Sequence, residues 1–70
     1  MSLTVIHKDT QRKTALIKNN ETQRSFPVIL QDWLRFLVCV GDIAIINRTV
    51  SGEWIMTDYI RNIDNIGEDL

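Results

Sequence analysis

A chain of 70 residues with a formal net charge of -1 and 44% hydrophobic residues is long enough for one small domain and too apolar to be disordered throughout. Its apolar runs are far shorter than the roughly 20 residues that a membrane-spanning helix needs, and its first residues show no signal-peptide pattern. The single cysteine, Cys39, excludes an intramolecular disulfide and suits a reducing compartment. We therefore predict a cytoplasmic protein with one domain over residues 1–60 and an acidic tail over residues 61–70.

The first thirty residues contain three segments of β type separated by polar turns. Residues 3–8 are rich in β-branched side chains, residues 13–18 resume the pattern after a polar loop, and residues 24–30 follow a turn that contains two asparagines. The third segment includes Pro27, which has no N–H group and therefore suits an edge or a bulge.

The hydrophobic period changes after the third strand. Apolar side chains then follow the i, i+3, i+4, i+7, i+8 spacing of an amphipathic helix of about two turns; they are Leu30, Trp33, Leu34, Leu37 and Val38. The pattern predicts a helix in which Trp33 closes one end of the core.

Two more strands are predicted in the second half of the chain. Residues 42–48 are apolar on both faces, which is typical of a central strand, and residues 53–59 follow a Ser-Gly turn. Beyond them, Ile60, Ile63 and Ile66 fit one side of a short helix, whereas the acidic composition fits a frayed terminus equally well.

The order of three strands, one short helix and two strands is that of an all-β OB-type barrel with five strands. A small SH3-like barrel is the alternative, although a helix between its third and fourth strands is less usual. A closed barrel also leaves no unpaired strand edge.

Several short stretches carry a resemblance to a known family. They are residues 4–6, 15–19, 26–29, 40–45 and 52–55, the fourth of which holds the turn Val40-Gly41-Asp42. Over roughly residues 3–60 the chain resembles bacterial translation initiation factor one and related RNA-binding OB domains. The resemblance implies a cytosolic single-domain protein that contacts RNA on the sheet face of strands two and three.

The positive charge is concentrated in the first half of the chain. Residues 1–35 carry six basic and three acidic side chains, whereas residues 36–70 carry two basic and six acidic ones. Arg12, Lys13, Lys18 and Arg24 lie at the ends of strands two and three, near the groove in which an OB barrel binds its ligand. Because a single strand needs cations for its phosphates, we predict that these four residues bind RNA or single-stranded DNA.

A protein-protein interaction or assembly role is the alternative function. Phe36 falls off the helical stripe, and the alternation of the fifth strand puts Trp54 with Met56 on one face and Tyr59 on the other. One of these faces has to point outward, and the size of Trp54 favours the core for its side. We predict Phe36, Trp54 and Tyr59 as interface candidates for another protein or for a second copy in a homo-oligomer.

No residue pattern specifies a reaction. His7 is the single histidine and has no partner in sequence that would orient it as a base. Cys39 has no adjacent basic residue to activate it and is predicted to be buried, and Asp42 is predicted to cap backbone in its own turn. Since metal-ligand spacings and a phosphate-binding glycine loop are also lacking, we expect a non-enzymatic binding module with no cofactor and no metal.

Overall fold

A computed structural model describes residues 2–62, which form a closed barrel of five strands. The strands are β1 (Leu3–Asp9), β2 (Thr14–Asn19), β3 (Ser25–Leu30), β4 (Ile43–Arg48) and β5 (Trp54–Ile60). Their order around the barrel is β1-β2-β3-β5-β4, and all neighbours are antiparallel except β3 and β5, which are parallel. This is the predicted all-β OB-type barrel, and each strand begins and ends within one residue of its predicted span.

The core is built from the side chains that alternate toward the inside of the barrel. Alternate residues of a strand point to opposite faces of the sheet, so each strand contributes one or two side chains to the interior. The buried hydrophobic residues are Val5, Ala15, Ile17, Val28, Leu30, Leu34, Val38, Ala44 and Met56.

The connection between β3 and β4 differs from the prediction. Only Asp32–Leu34 is helical, as a single 3₁₀ turn, so the prediction of a two-turn amphipathic helix is wrong in its extent. Gln31 occupies the N-cap position without a side-chain hydrogen bond to the turn, and the carbonyl oxygen of Leu34 accepts the amides of both Leu37 and Val38 at 3.0 Å. A short helix without a cap lacks the interactions that offset the cost of nucleation.

The residues that close this end of the barrel are Leu34 and Val38, which are fully buried. Trp33 is 50% exposed instead; its Nε1–H donates to Oε1 of Gln31 at 2.8 Å, and its ring centroid lies 6.4 Å from that of Tyr59. The prediction that Trp33 fills the barrel end is therefore wrong. Neighbouring residues of a 3₁₀ turn point about 120° apart, so the inward direction of Leu34 leaves Trp33 on the outside.

Two register shifts change which side chains face the core. One lies between Val5 and His7 in β1, and His7 is exposed just beyond it. The other lies in the pairing of β4 with β5, where Ile45 pairs with Asp58 but the next residue, Ile46, pairs with Met56. Met56 is fully buried and Tyr59, three positions later, also packs against the core. The predicted placement of Met56 and Tyr59 on opposite faces is thus wrong, because a bulge adds one residue to the alternation.

Within the described residues, no helix has the length and hydrophobicity needed to cross a membrane. The predicted tail helix through Ile63 and Ile66 lies outside the described residues, as does most of the predicted acidic tail.

Candidate nucleic-acid interface

A groove separates β3 from the loop between β4 and β5. β3 pairs with β5 only at Ile29 and Leu30, so the preceding part of β3 has no β5 residue beside it. The resulting groove has a volume of about 360 Å³. Pro27 carries no N–H group, so this opening leaves no unpaired backbone donor at that position. The groove is lined by Thr14, Pro27, Val28, Ile29, Gly52, Glu53 and Trp54.

The aromatic side chain at the groove is Trp54, which is 38% exposed. The guanidinium carbon of Arg48 lies 4.7 Å from the centroid of its ring, and the ring of Phe26 lies 6.3 Å away at an angle of 54°. Arg48 is the last residue of β4 and pairs with Trp54, the first residue of β5. The expectation that Trp54 is a core residue is wrong, since the strand ends place it at the rim of the barrel.

The loop between β4 and β5 is held by its own hydrogen bonds. The amide of Thr49 donates to the carbonyl of Glu53 at 2.7 Å, and the amide of Gly52 donates to the carbonyl of Thr49 at 3.0 Å. Gly52 has a φ of +89°, which a residue with a side chain rarely adopts. Val50 stands fully exposed at the tip. The loop is therefore a formed wall of the groove before any ligand binds.

The outward side chains of β2 and β3 extend the groove into a continuous surface, which we call the β2–β3 face. Alternation on β2 directs Ala15 and Ile17 inward and leaves the residues between them on the outside. The register of β2 with β3 then sets each outward residue beside an outward partner. The face consists of Thr14 beside Ile29, Leu16 beside Pro27, and Lys18 beside Ser25.

The structure places two of the predicted basic residues at the start of β2. Nζ of Lys13 lies 2.8 Å from Oδ1 of Asp32, so its charge is already paired. Arg12 is 83% exposed and lies 3.8 Å from Asp9. The hydrogen bond from Lys13 and then its charge lower the pKa of Asp32, which Arg35 lowers further. Of these two cations, Arg12 is the one more available to a ligand.

The other two predicted basic residues lie at the opposite end of β2. Lys18 is in the last part of the strand and Arg24 ends the turn that follows. Within residues 2–62, neither makes an ion pair. A strand rises about 3.3 Å per residue, so Lys18 lies roughly 17 Å along the strand from Lys13. The four predicted residues thus bracket the β2–β3 face rather than form one cluster.

Arg48 is a further cation at this surface that the sequence prediction missed. Within residues 2–62 no carboxylate pairs with it, and its guanidinium lies over Trp54. A signal was present in the sequence. Residues that flank a tight turn between antiparallel strands face each other, and the predicted fourth and fifth strands put Arg48 and Trp54 on either side of the Ser-Gly turn.

The three interface candidates do not share one surface. Phe36 is 69% exposed on the β3–β4 connection, with the guanidinium of Arg35 4.6 Å from its ring centroid. Tyr59 is half-buried between Trp33 and the guanidinium of Arg61, which lies 5.5 Å from its ring. Trp54 lies at the groove instead.

Asp42 fixes the end of the β3–β4 connection to the end of the barrel. It is fully buried. Its Oδ2 accepts the amide of Cys39 at 2.9 Å, which confirms the predicted backbone cap, and its Oδ1 accepts the amide of Asn62 at 3.2 Å. Nε of Arg61 lies 3.1 Å from Oδ2. Burial is the largest single effect and opposes the charge of Arg61, but Asp42, Cys39 and Tyr59 together outweigh it and raise the pKa of Arg61.

The prediction that Cys39 is buried is wrong, because its side chain is exposed. The turn fixes the Cys39 amide through Asp42, and the exposed thiol lies 3.8 Å from the carbonyl oxygen of Leu37. Among residues 2–62 there is no group of three or more His, Cys, Asp or Glu side chains that could hold a metal ion.

Comparisons of the chain with protein-family models, curated proteins and solved structures found no match. The resemblance to bacterial translation initiation factor one therefore stays a prediction from the sequence. What this surface binds has to follow from its own geometry.

Proposed function

We propose that this chain is a non-enzymatic cytoplasmic module that binds single-stranded RNA or DNA along the β2–β3 face and in the adjoining groove. The observation that carries the proposal is the stack of Arg48 on Trp54 at the groove, with Lys18 and Arg24 at the far end of the same surface. A single strand is bound by cations that follow its backbone and by flat side chains that stack on its bases. This surface offers both.

The lining of the groove favours a single strand over a duplex. Leu16, Pro27 and Ile29 place apolar area between the two groups of cations. A duplex presents phosphates outward and keeps the faces of its bases stacked inside, whereas an unstacked base can cover apolar and aromatic side chains. The roughly 17 Å between the ends of β2 gives such a strand room for several nucleotides.

The number of available cations sets the expected salt dependence of binding. Lys13 is neutralised by Asp32, which leaves Arg12, Lys18, Arg24 and Arg48 for phosphate contacts. Each contact on a single strand contributes about 0.7 to the slope of log affinity against log salt, so four contacts give a slope of about -3. A fourfold rise in salt then weakens binding about 50-fold.

Fluorescence anisotropy with labelled oligo(U) and oligo(dT) tests the proposal. An oligonucleotide of about 12 residues lies within the roughly 4–16 nucleotides that one OB barrel covers, and titrations at about 50 and about 200 mM salt give the slope. We expect Arg48→Gln to reduce the slope by about 0.7. Arg35→Gln is the matched control, because Arg35 lies over Phe36 on the β3–β4 connection.

Absence of binding to both oligonucleotides at the lower salt concentration would overturn the proposal. The same conclusion would follow if Arg35→Gln lost as much affinity as Arg48→Gln, because binding would then depend on overall charge and not on the β2–β3 face.

A further inference from the structure

Glu53 is the one charged residue among the described residues that line the groove. Apart from Thr14, the other lining residues carry no polar side-chain group except the indole N–H of Trp54. A carboxylate repels the phosphates of a nucleic acid, so it weakens contacts with the backbone of a bound strand. Glu53 therefore has to act on a different part of the ligand if it contributes to binding.

The backbone of Glu53 is held by the loop, whereas its carboxylate has no part in that structure. The amide of Glu53 donates to Oγ1 of Thr49 at 3.0 Å, and its carbonyl accepts the amide of Thr49 at 2.7 Å. Within residues 2–62 the carboxylate forms no ion pair. A carboxylate only accepts hydrogen bonds, through two oxygens that lie side by side. It is thus suited to a ligand edge that carries two adjacent N–H donors.

The neighbours of Glu53 provide the surface on which such a ligand lies. Trp54 follows it directly in the chain, is 38% exposed and lines the same groove. Pro27 and Ile29 of β3 line the other side. A base that stacks on the indole ring therefore brings its edge within reach of the Glu53 carboxylate.

The four bases differ in the edge that they can present to a carboxylate. Guanine carries N1–H and a 2-amino group next to each other, so both donate in parallel to the two oxygens, as an arginine fork does. Adenine and cytosine carry an amino group beside an unprotonated ring nitrogen, and uracil carries one N–H between two carbonyl oxygens. In these three bases an acceptor faces the second carboxylate oxygen and is repelled by it.

We propose that Glu53 makes the groove selective for guanine, whose N1–H and 2-amino group donate to its two carboxylate oxygens. This inference rests on the proposed binding of a single strand and adds the base that the groove takes. A good bidentate contact discriminates about tenfold against a base that lacks it. The cations of the β2–β3 face contact phosphates and are indifferent to sequence, so one guanine in a bound strand is enough.

Fluorescence anisotropy at about 50 mM salt tests the selectivity with labelled strands of about 12 nucleotides. The strands are oligo(U) and three versions of it with one central guanosine, inosine or cytidine. We expect the guanosine strand to bind about tenfold more tightly than oligo(U). Inosine keeps N1–H and lacks the 2-amino group, so its strand should lose most of that gain, and the cytidine strand should bind like oligo(U).

Glu53→Gln tests whether the carboxylate is the group that selects the base. The amide keeps one acceptor and replaces the other with a donor, so the guanosine strand should bind no more tightly than oligo(U). Asp58→Asn is the matched control, because it removes the same charge from β5 at a residue that pairs with Ile45 and does not line the groove. It should keep the tenfold preference. Circular dichroism checks that both variants fold.

The outcomes separate this inference from the proposed function. Failure of every strand to bind would overturn single-strand binding and the selectivity with it. Equal binding of all four strands would leave single-strand binding in place and overturn the selectivity. The selectivity would also be overturned if the guanosine preference survived in Glu53→Gln, or if inosine bound as tightly as guanosine.

Discussion

At the scale of single residues, the proposed binding depends on Arg48 and Trp54 at the groove. The indole ring holds the guanidinium 4.7 Å from its centroid, and such a cation–π contact at an exposed site is worth about 0.5–1 kcal/mol. An arginine held in one place loses less freedom when it meets a phosphate. The ring in turn provides the flat surface on which a base can stack.

Removing that ring should weaken binding at constant charge. Stacking of a base on an aromatic side chain is worth about 1–3 kcal/mol, so we expect Trp54→Ala to reduce affinity for oligo(U) by about tenfold, measured by anisotropy. Trp33→Ala is the matched control, because Trp33 is an exposed tryptophan on the β3–β4 connection. Equal losses for the two variants would show that the groove is not where the bases bind.

The pair of Lys13 and Asp32 makes a second prediction at this scale. Because Lys13 holds the pKa of Asp32 below its ordinary value of 3.8, the stabilisation that the pair gives is present above that value and is lost as the pH falls through the lowered pKa. In an NMR titration we expect Lys13→Met to move the Asp32 midpoint upward. Arg12→Met, which removes a cation paired with Asp9 instead, should leave it in place. An unchanged midpoint in Lys13→Met would contradict the pairing.

At the scale of elements, the β3–β4 connection is held more by polar contacts at its end than by helical structure. The buried carboxylate of Asp42 joins the amide of Cys39 to the residues that follow β5. The guanidinium of Arg61 adds a hydrogen bond of 2.6 Å to the carbonyl of Leu37. A single buried side chain therefore fixes both the connection and the exit from the barrel.

Loss of that carboxylate should destabilise the whole domain. Asp42→Ala leaves two amides without their acceptor and leaves Arg61 without its partner, so we expect the free energy of unfolding to fall by about 3 kcal/mol. Urea denaturation followed by circular dichroism measures the change. Asp58→Ala, at an exposed carboxylate on β5, should stay within about 0.5 kcal/mol of the wild type. A change of similar size in both variants would argue against a special role for Asp42.

The strands could be predicted from the sequence because each combines a β-type pattern with turn residues at its ends. The β3–β4 connection could not, because the spacing of Leu34 and Val38 is that of an α-helix, whereas the chain forms a single 3₁₀ turn there. The bulges beside His7 and Met56 carry no local signal either, since they depend on how neighbouring strands meet.

The candidate site, like the fold, could be predicted from the sequence only in part. The identity of the cations at the ends of β2 follows from charge and strand boundaries. Sequence alone does not reveal that Asp32 neutralises Lys13, because this contact joins a loop to a distant turn. The position of Trp54 at the rim follows from the gap between β3 and the β4–β5 loop, which is a property of barrel closure.

At the scale of the whole molecule, the barrel separates two kinds of surface. The side of β2 and β3 carries the groove, the Arg48–Trp54 stack and the bracketing cations, whereas the outward side of β4 carries Ile43 and Ile45. A domain this small buries only about 60% of its unfolded surface, so open walls rather than a deep cleft are available for binding. We infer that ligands bind on the outward faces of the barrel strands.

The most direct test of nucleic-acid binding is to locate it by NMR. Amide spectra of the nitrogen-labelled protein would be followed while unlabelled oligo(U) is added at low salt. We expect shifts at Lys18, Ile29 and Gly52 and at the indole N–H of Trp54, with Ile45 of β4 unchanged. Unchanged spectra at saturating oligonucleotide, or shifts confined to the wall of β4, would contradict a binding surface on β2 and β3.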